Sequence, residues 1–249
     1  MSKKKYWTFK NQANNEADLY LYLEIASWGG GYAAHSAKSF KAELDALGEI
    51  STINVYINSP GGDVFEGRAI YNMLKRHKAF IRVHIDGLAA SIAAYIAMAA
   101  DELIMPNNAM LMIHNAWMNT SGNAKELREA ADMLDKVGLS MRQDFLLRAG
   151  DKLDEETLTN LLDVESWLTA QEALDYGLCD VVTSAKQIAA LADTKLLAKY
   201  RNVPNDITQK EEPPTPENGF SEEKRKEIAR NASLELQNLQ SYLGGIING

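Results

Sequence analysis

The chain has 249 residues, of which 46% are hydrophobic and 24% are charged. These proportions exclude wholesale disorder, and the length suits either one large domain or one domain with an appendage. The formal net charge of −8 argues against a general nucleic-acid binder, because phosphate binding needs a basic surface. Cys179 is the single cysteine, which excludes an internal disulfide framework and fits a reducing compartment.

The sequence carries no membrane or secretion signal. No uninterrupted apolar run reaches the roughly 18–20 residues of a membrane span. The basic residues 1–5 are followed by aromatic and polar residues instead of the apolar core of a signal peptide. We therefore expect a cytoplasmic protein that does not contact a membrane.

Strand and helix patterns alternate after an N-terminal segment, residues 1–18. Runs rich in Ile, Val, Leu and Tyr predict strands, and amphipathic runs between them predict helices. This alternation favours an α/β fold with a parallel core and right-handed crossovers. The predicted strands are 19–25, 52–58, 81–86 and 103–105, and the predicted helices are 32–47, 65–77 and 91–100.

A long helix is predicted at 123–149. Asn123 and Glu126 have the spacing of a capping box, and the apolar residues that follow recur at helical intervals. Thr169 and Glu172 form a second capping-box pattern, which predicts a short helix that stops at Gly177. The apolar stripe of the long helix includes Leu127, Leu134, Met141 and Phe145.

Proline placement divides the C-terminal part of the chain. Four of the six prolines lie between Pro204 and Pro216, so 201–220 is predicted to be a linker. Residues 221–249 begin with a serine and two acids, which predicts a C-terminal helical extension with a partly apolar face. The main domain is then 19–200.

Two turns rich in small residues follow predicted strands. Residues 58–63 contain Gly61 and Gly62, whose missing Cβ atoms let backbone amides approach a ligand, although taken alone the segment is better explained as an ordinary tight turn. Residues 87–91 lead into a helix and place Ser91 at its positive end. A simple capping role is the alternative for this serine.

His114 ends an apolar, strand-like run. A satisfied core histidine and a general base both fit this position, because an imidazole has a pKa near neutrality. A serine nucleophile needs such a base, since its hydroxyl is a weak nucleophile on its own. The other histidines fit less well: His35 and His77 lie in predicted amphipathic helices, and His84 lies in the middle of a strand.

The glycine pair, the serine and the histidine, in this order, resemble the proteolytic subunits of the Clp protease (ClpP). The resemblance covers about residues 19–182 and implies a ClpP/crotonase-like fold with repeated β-β-α units and a long handle helix. It also implies a serine endopeptidase that cleaves peptide or protein substrates. The motifs that carry it are Tyr56-Ile-Asn-Ser-Pro-Gly-Gly62, Gly87-Leu-Ala-Ala-Ser91, Pro106-Asn107, Met112-Ile-His114 and Leu168-Thr-Ala-Gln-Glu-Ala-Leu-Asp-Tyr-Gly-Leu-Cys-Asp180.

The resemblance also assigns roles to individual residues. It implies that Ser91 is the nucleophile, that His114 is the general base, and that the backbone amides of Gly62 and Ile92 form the oxyanion hole. These residues would then act together in acyl transfer.

The third member of the catalytic triad departs from the family pattern. The family carries an aspartate just before an aromatic residue and a Leu-Thr-Ala-like run, and here Glu165 holds that position beside Trp167. A glutamate can orient an imidazole as an aspartate does, but its extra methylene requires a different approach. Asp163 is the competing candidate, and a solvated surface acid is the remaining interpretation of Glu165.

The resemblance further implies a homo-oligomer, either a heptameric ring or a stacked double ring (a tetradecamer) in which handle helices interlock. It implies apolar pockets on the ring face that receive loops of a Clp-type ATPase. The matching positions Arg76, His84 and Asp86 are polar here. Because desolvating an unpaired charge is costly, we expect a standard Clp-type ATPase to dock poorly.

The linker and extension fit the phage- or prophage-encoded branch of the family, which includes capsid-maturation proteases. We therefore expect an endopeptidase that is ATP-independent or assisted by a partner. A non-catalytic ring or scaffold protein and a crotonase-like acyl-CoA enzyme are the alternatives. A serine–lysine peptidase would need a lysine motif near Ser91, and none is present. Without a His-Glu-x-x-His, cysteine-cluster or Walker motif, no metal or other cofactor is expected.

Overall fold

A sheet of eight strands organises the described part of the chain. The structure, a computed structural model, describes residues 5–11, 14–26, 36–184 and 197–204, so the predicted C-terminal helical extension lies outside the described residues. The strands are β1 (Trp7–Asn11), β2 (Glu16–Tyr22), β3 (Thr52–Ser59), β4 (Phe80–Ala90), β5 (Glu102–Pro106), β6 (Met110–Ile113), β7 (Ser166–Thr169) and β8 (Val181–Thr183).

The predicted α/β fold with a parallel core is confirmed. β2, β3, β4, β5 and β8 lie side by side and run parallel, and β1 pairs with β2 as an antiparallel edge. Alternate side chains of the central strands, such as Leu19, Val55 and Val83, are fully buried in the main core. Most of the intervening side chains are half-buried on the opposite face, where Asp18 and Asn54 are the buried polar residues.

The longest strand, β4, pairs with two different neighbours. Its first half pairs with β5 at residues 82–84, and its last residues, Leu88 to Ala90, pair in parallel with β6. We expected the strand to end at residue 86 and a turn of small residues to follow. The pairing with β6 instead keeps these small residues in extended conformation up to Ser91.

Helices lie in most of the connections between the strands. α3 is shorter than predicted and every one of its residues is buried. His77 lies just after α2, not inside a helix as we predicted, because α2 ends at Lys75; His35 lies outside the described residues. The helices are α1 (Ala37–Asp45), α2 (Val64–Lys75), α3 (Ile92–Ala97), α4 (Ala124–Ala149), α5 (Glu155–Asp163) and α6 (Ala170–Asp175).

Both predicted capping boxes are present. The Asn123 side chain accepts hydrogen bonds from the first turn of α4, and Glu126 reaches back to the Asn123 amide at 2.7 Å. Thr169 and Glu172 do the same at α6. These reciprocal bonds satisfy amides that a helix start otherwise leaves unpaired.

The predicted handle helix is present as α4, and its apolar stripe divides between two environments. Phe145 is buried and Met141 packs against the main core, so the C-terminal half of the stripe belongs to this chain's interior. Leu127 is exposed, as are Met133, Leu139 and Leu147. Among residues 5–11, 14–26, 36–184 and 197–204, no helix is both long and apolar enough to span a membrane.

The half-buried face of the sheet carries a row of stacked aromatic rings. Tyr20 stacks on Tyr56 with ring centroids 4.9 Å apart, and Tyr56 stacks on His84 at 5.0 Å. The Tyr22 hydroxyl donates a hydrogen bond to Asp86. We expected Asp86 to be an unpaired charge that would disfavour docking of a Clp-type ATPase. The bond from Tyr22 shows that its carboxyl group has a hydrogen-bond donor.

Close packing between α2 and α3 generates a prediction about two glycines. A Cβ atom on Gly67 would lie 2.1 Å from Cγ1 of Ile92, whereas one on Gly138 in α4 would meet only an arginine side chain at 3.8 Å. Alanine favours a helix over glycine by about 1 kcal/mol, but overpacking a core costs about 1–3 kcal/mol. We expect Gly67→Ala to lower the free energy of unfolding in urea and Gly138→Ala to raise it. Equal effects of the two substitutions would contradict the close contact.

Candidate active site

Ser91 lies on a strained turn between β4 and α3. Its backbone has φ 58° and ψ −124°, a conformation that costs a residue other than glycine about 1–3 kcal/mol. Its amide donates to the Met112 carbonyl at 2.8 Å, which extends the pairing of β4 with β6. The Ser91 side chain makes no capping bond to α3. Its hydroxyl is therefore available for another partner, and the capping interpretation does not describe this serine.

His114 supplies that partner. It directly follows β6, and its Nε2 lies 2.7 Å from the Ser91 Oγ. Burial lowers the pKa of His114 below its ordinary value, while the charge of Glu165 raises it and that of Lys199 lowers it. Because burial dominates, the imidazole is neutral at neutral pH and can accept a proton from the serine hydroxyl.

The Gly61–Gly62 turn is clamped beside these two residues. Ile25 donates its amide to the Gly61 carbonyl at 2.8 Å and accepts from the Asp63 amide at 2.7 Å. Gly62 has φ 148°, and a Cβ atom there would lie 1.9 Å from the Ile25 carbonyl oxygen; one on Gly61 would lie 2.8 Å from the Ser91 Cβ. Both positions require glycine, because the Ile25 backbone approaches Gly62 and the Ser91 side chain approaches Gly61. An ordinary tight turn would not impose this requirement.

The backbone amides of Gly62 and Ile92, the predicted oxyanion hole, both lie next to residues of the reactive pair or of the glycine turn. The parallel bridge between Ile25 and Gly62 uses the groups on either side of Gly62, so the Gly62 amide itself points away from Ile25. Ile92 begins α3, and its amide belongs to the first turn, which has no partner within the helix. Gly62 and Ser91 line the same cavity.

The two candidate carboxylates lie in different environments. Asp163 is the last residue of α5, and its Oδ1 accepts a hydrogen bond from Asn115 at 2.6 Å. Glu165 has φ 56°, a left-handed backbone conformation at the turn between α5 and β7. The charge of Glu165 raises the pKa of His114. In the described part of the chain, however, the Glu165 carboxylate is hydrogen-bonded to backbone amides and not to the His114 side chain.

Residues 199–202 form part of the site, which the sequence did not predict. The Tyr200 ring contacts the His114 ring edge-on with centroids 5.5 Å apart, and the Tyr200 hydroxyl donates to the Pro60 carbonyl. The amides of Arg201 and Asn202 donate to the Glu165 Oε1 at 2.7 and 3.0 Å. No short motif marks these residues, and proline content placed the last two in a linker.

An open cavity of about 490 Å³ lies beside Ser91 and His114. Its walls are mostly apolar, with Lys199 and Glu24 joined by an ion pair of 3.1 Å at one side. Within the described ranges, no group of acidic, histidine or cysteine side chains has the arrangement of a metal site. The apolar lining residues include Ile25, Val64, Phe65, Trp117, Leu134 and Val137.

The fold and the contact between Ser91 and His114 define an α/β protein with a site of the serine-hydrolase kind. Residues 24–186 match the family model of the Clp protease, and the chain belongs to this peptidase family. It is 34% identical over 147 residues to the ATP-dependent Clp protease proteolytic subunit of Ligilactobacillus salivarius (strain UCC118), covering 58% of this chain and 73% of that protein. The resemblance to ClpP seen in the motifs is therefore confirmed.

Proposed function

We propose that this chain is a serine endopeptidase of the ClpP type, with Ser91 as nucleophile and His114 as general base. Glu165 is the third member of its triad, and the amides of Gly62 and Ile92 form the oxyanion hole. The observation that carries the proposal is the 2.7 Å contact between the His114 Nε2 and the Ser91 Oγ. A neutral imidazole at this distance is what activation of a serine hydroxyl needs.

The reaction follows from these positions. As the Ser91 Oγ forms a bond to the substrate carbonyl carbon, its proton passes to the His114 Nε2. The negative oxygen of the tetrahedral intermediate accepts hydrogen bonds from the Gly62 and Ile92 amides. His114 then gives its proton to the leaving amine as the C–N bond breaks, and a water molecule hydrolyses the acyl-enzyme by the same route. The strained, preorganised turn at Ser91 keeps the hydroxyl exposed to the substrate.

The cavity favours a substrate with a large apolar side chain next to the cleaved bond. Trp117, Leu134 and Val137 give it apolar walls, and its volume exceeds that of any one side chain. A crotonase-like acyl-CoA enzyme does not need Ser91 and His114 in contact, so the site gives that alternative no support. A serine–lysine mechanism is also disfavoured, because the Lys199 ammonium is paired with Glu24.

Assembly into a ring or stacked double ring is part of the proposal. The exposed Leu139 and Leu147 leave apolar surface on α4 that contact with another copy would cover, whereas the exposed Met133 lines the cavity beside Ser91. Poor docking of a standard Clp-type ATPase, the phage-encoded branch, capsid maturation and a cytoplasmic location all stay predictions. The paired Asp86 weakens the charge argument against docking, although Arg76 and His84 keep the surface polar.

Replacing either residue of the reactive pair tests the mechanism. We expect Ser91→Ala and His114→Ala each to reduce hydrolysis of a short apolar peptide by several orders of magnitude, because nucleophile and base act as a unit. The double variant should lose little more than either single variant. Labelling with a fluorophosphonate should be lost in Ser91→Ala, and particle size by sedimentation should stay unchanged. A Ser91→Ala variant that cleaves the peptide at the wild-type rate would sink the proposal.

The two carboxylates can be separated by isosteric substitutions. Glu165→Gln removes the charge that raises the His114 pKa, so we expect a loss of up to about four orders of magnitude in kcat. Asp163→Asn should have a mild effect, since Asp163 is bonded to Asn115. Steady-state kinetics of the two variants give the comparison. The reverse ranking would assign the third role to Asp163, and no effect of either would leave a Ser–His dyad.

The handle helix makes a prediction about assembly. We expect Leu139→Asp to shift the particle to single rings or monomers in sedimentation, because it would place a charge in an apolar interface without a partner. Leu139→Met is the matched control, since it keeps the apolar character and nearly the same volume. The same mass for wild type and Leu139→Asp would mean that this face of α4 stays in solvent.

A further inference from the structure

A segment outside the family match contacts three parts of the active site at once. The match ends at residue 186, while the segment from Lys199 to Asn202 lies against the reactive residues. Leu197 and Tyr200 anchor the segment, because both are buried in a small apolar cluster with Leu88 and Met112. These two partners belong to the paired ends of β4 and β6, which place Ser91 and His114.

The first contact orients Glu165. The amides of Arg201 and Asn202 both donate to its Oε1, and the Asn202 side-chain amide donates to the Val164 carbonyl at 2.7 Å. Hydrogen bonds from backbone amides to a carboxylate are charge-assisted and directional. Both of these amides bind Oε1 and not Oε2 of Glu165. The charge of the Glu165 carboxylate raises the pKa of His114.

The second and third contacts are made by Tyr200. Its ring covers the edge of the His114 imidazole and also meets Trp167 edge-on, with centroids 5.9 Å apart. Its hydroxyl donates to the carbonyl of Pro60, the residue before the Gly61–Gly62 turn. Burial raises the pKa of the Tyr200 phenol, so it stays protonated and remains a donor; the neighbouring Ser91 hydroxyl acts in the opposite direction.

We propose that the segment Lys199–Asn202 is a positioning element of the active site, which holds Glu165 through the Arg201 and Asn202 amides and holds His114 through Tyr200. This inference rests on the proposed function. A glutamate side chain has one more rotatable bond than an aspartate, and the two amides restrict it. Catalytic side chains need rigid support of this kind to stay in their productive geometry.

The alternative role for such a segment is to block the site. The open cavity argues against it, because Ser91 and His114 both line about 490 Å³ of space with the segment in place. Ser91 and His114 are also half-buried, not covered, and their 2.7 Å contact is intact. The segment therefore forms a wall of the cavity and leaves its interior to the substrate.

Removing one amide tests the proposal in the full-length chain. Arg201→Pro deletes the donor to Glu165, whereas Arg201→Ala keeps it and removes only an exposed side chain. We expect Arg201→Pro to lower kcat for a short apolar peptide about 10- to 100-fold with little change in KM, because Arg201 does not line the cavity. Arg201→Ala should retain most of the activity. In a Glu165→Ala background, Arg201→Pro should cause no further loss.

The pH profile gives a readout that a purely structural role would not move. Glu165 raises the His114 pKa and Lys199 lowers it, with Glu165 the stronger of the two. Once Glu165 is no longer held, the His114 pKa falls, so the acidic limb of kcat/KM should shift to lower pH in Arg201→Pro. An increase in kcat with a shift to higher pH would overturn the proposal, because it would show that the amides hold Glu165 away from His114.

Two variants of Tyr200 provide a second test, which does not depend on whether Arg201→Pro folds. Their kcat is measured with the same peptide. Tyr200→Phe keeps the ring against His114 and loses the bond to Pro60, and Tyr200→Ala loses both contacts. We expect kcat to fall in that order. Wild-type kcat in Tyr200→Ala, or equal losses from Arg201→Pro with and without Glu165, would reject the positioning role. If wild type itself neither reacts with a fluorophosphonate nor cleaves the peptide, the proposed function fails instead.

Discussion

The parallel pairing of the end of β4 with β6 is the interaction on which the site depends. Ala90 lies opposite Met112, and the Ser91 amide continues the ladder to the Met112 carbonyl. Ser91 and His114 each follow directly after one of these strands, so the register of three residue pairs sets their separation. A slip of one residue would turn every β6 side chain to the opposite face and separate the imidazole from the hydroxyl. Leu111 packs in the main core and Met112 in a separate small cluster, so such a slip would exchange the two side chains between two close-packed environments that do not fit them.

Strain and close approach then concentrate around this pair. Ser91 and Glu165 both adopt positive φ without being glycine, and Gly62 has a conformation that only glycine adopts readily. Such conformations persist because the surrounding structure determines them: β6 holds the Ser91 amide, and Ile25 holds the turn at Gly62. The stability of the buried sheet thus maintains a local geometry that the isolated segments would not adopt.

The sequence predicted most of the fold because its signals were local. Runs rich in Ile, Val, Leu and Tyr identified β2 to β5, and the capping boxes at Asn123 and Thr169 identified the starts of α4 and α6. β1, β7 and β8 were missed, since β1 lies in the N-terminal segment that we set apart and the other two have only four and three residues; α5 was not predicted either. The extension of β4 to Ala90 was missed for a different reason. Small residues carry no strand signal, and only their pairing with β6 makes them extended.

The site divides in the same way between local and long-range information. Motifs brought Ser91, His114 and the glycine turn together, because each lies at the end of a recognisable strand. The contacts of Glu165 were beyond prediction: its partners, the amides of Arg201 and Asn202, are backbone groups 36 and 37 residues away and carry no side-chain signature. Any residue except proline can supply a backbone donor, so such a contact leaves no mark on the composition. The boundary that we drew from proline content therefore separates Arg201 and Asn202 from the site that they contact. In the proposed active site, the hydrogen bonds that reach Glu165 extend to Asn202, two residues beyond the predicted end of the domain.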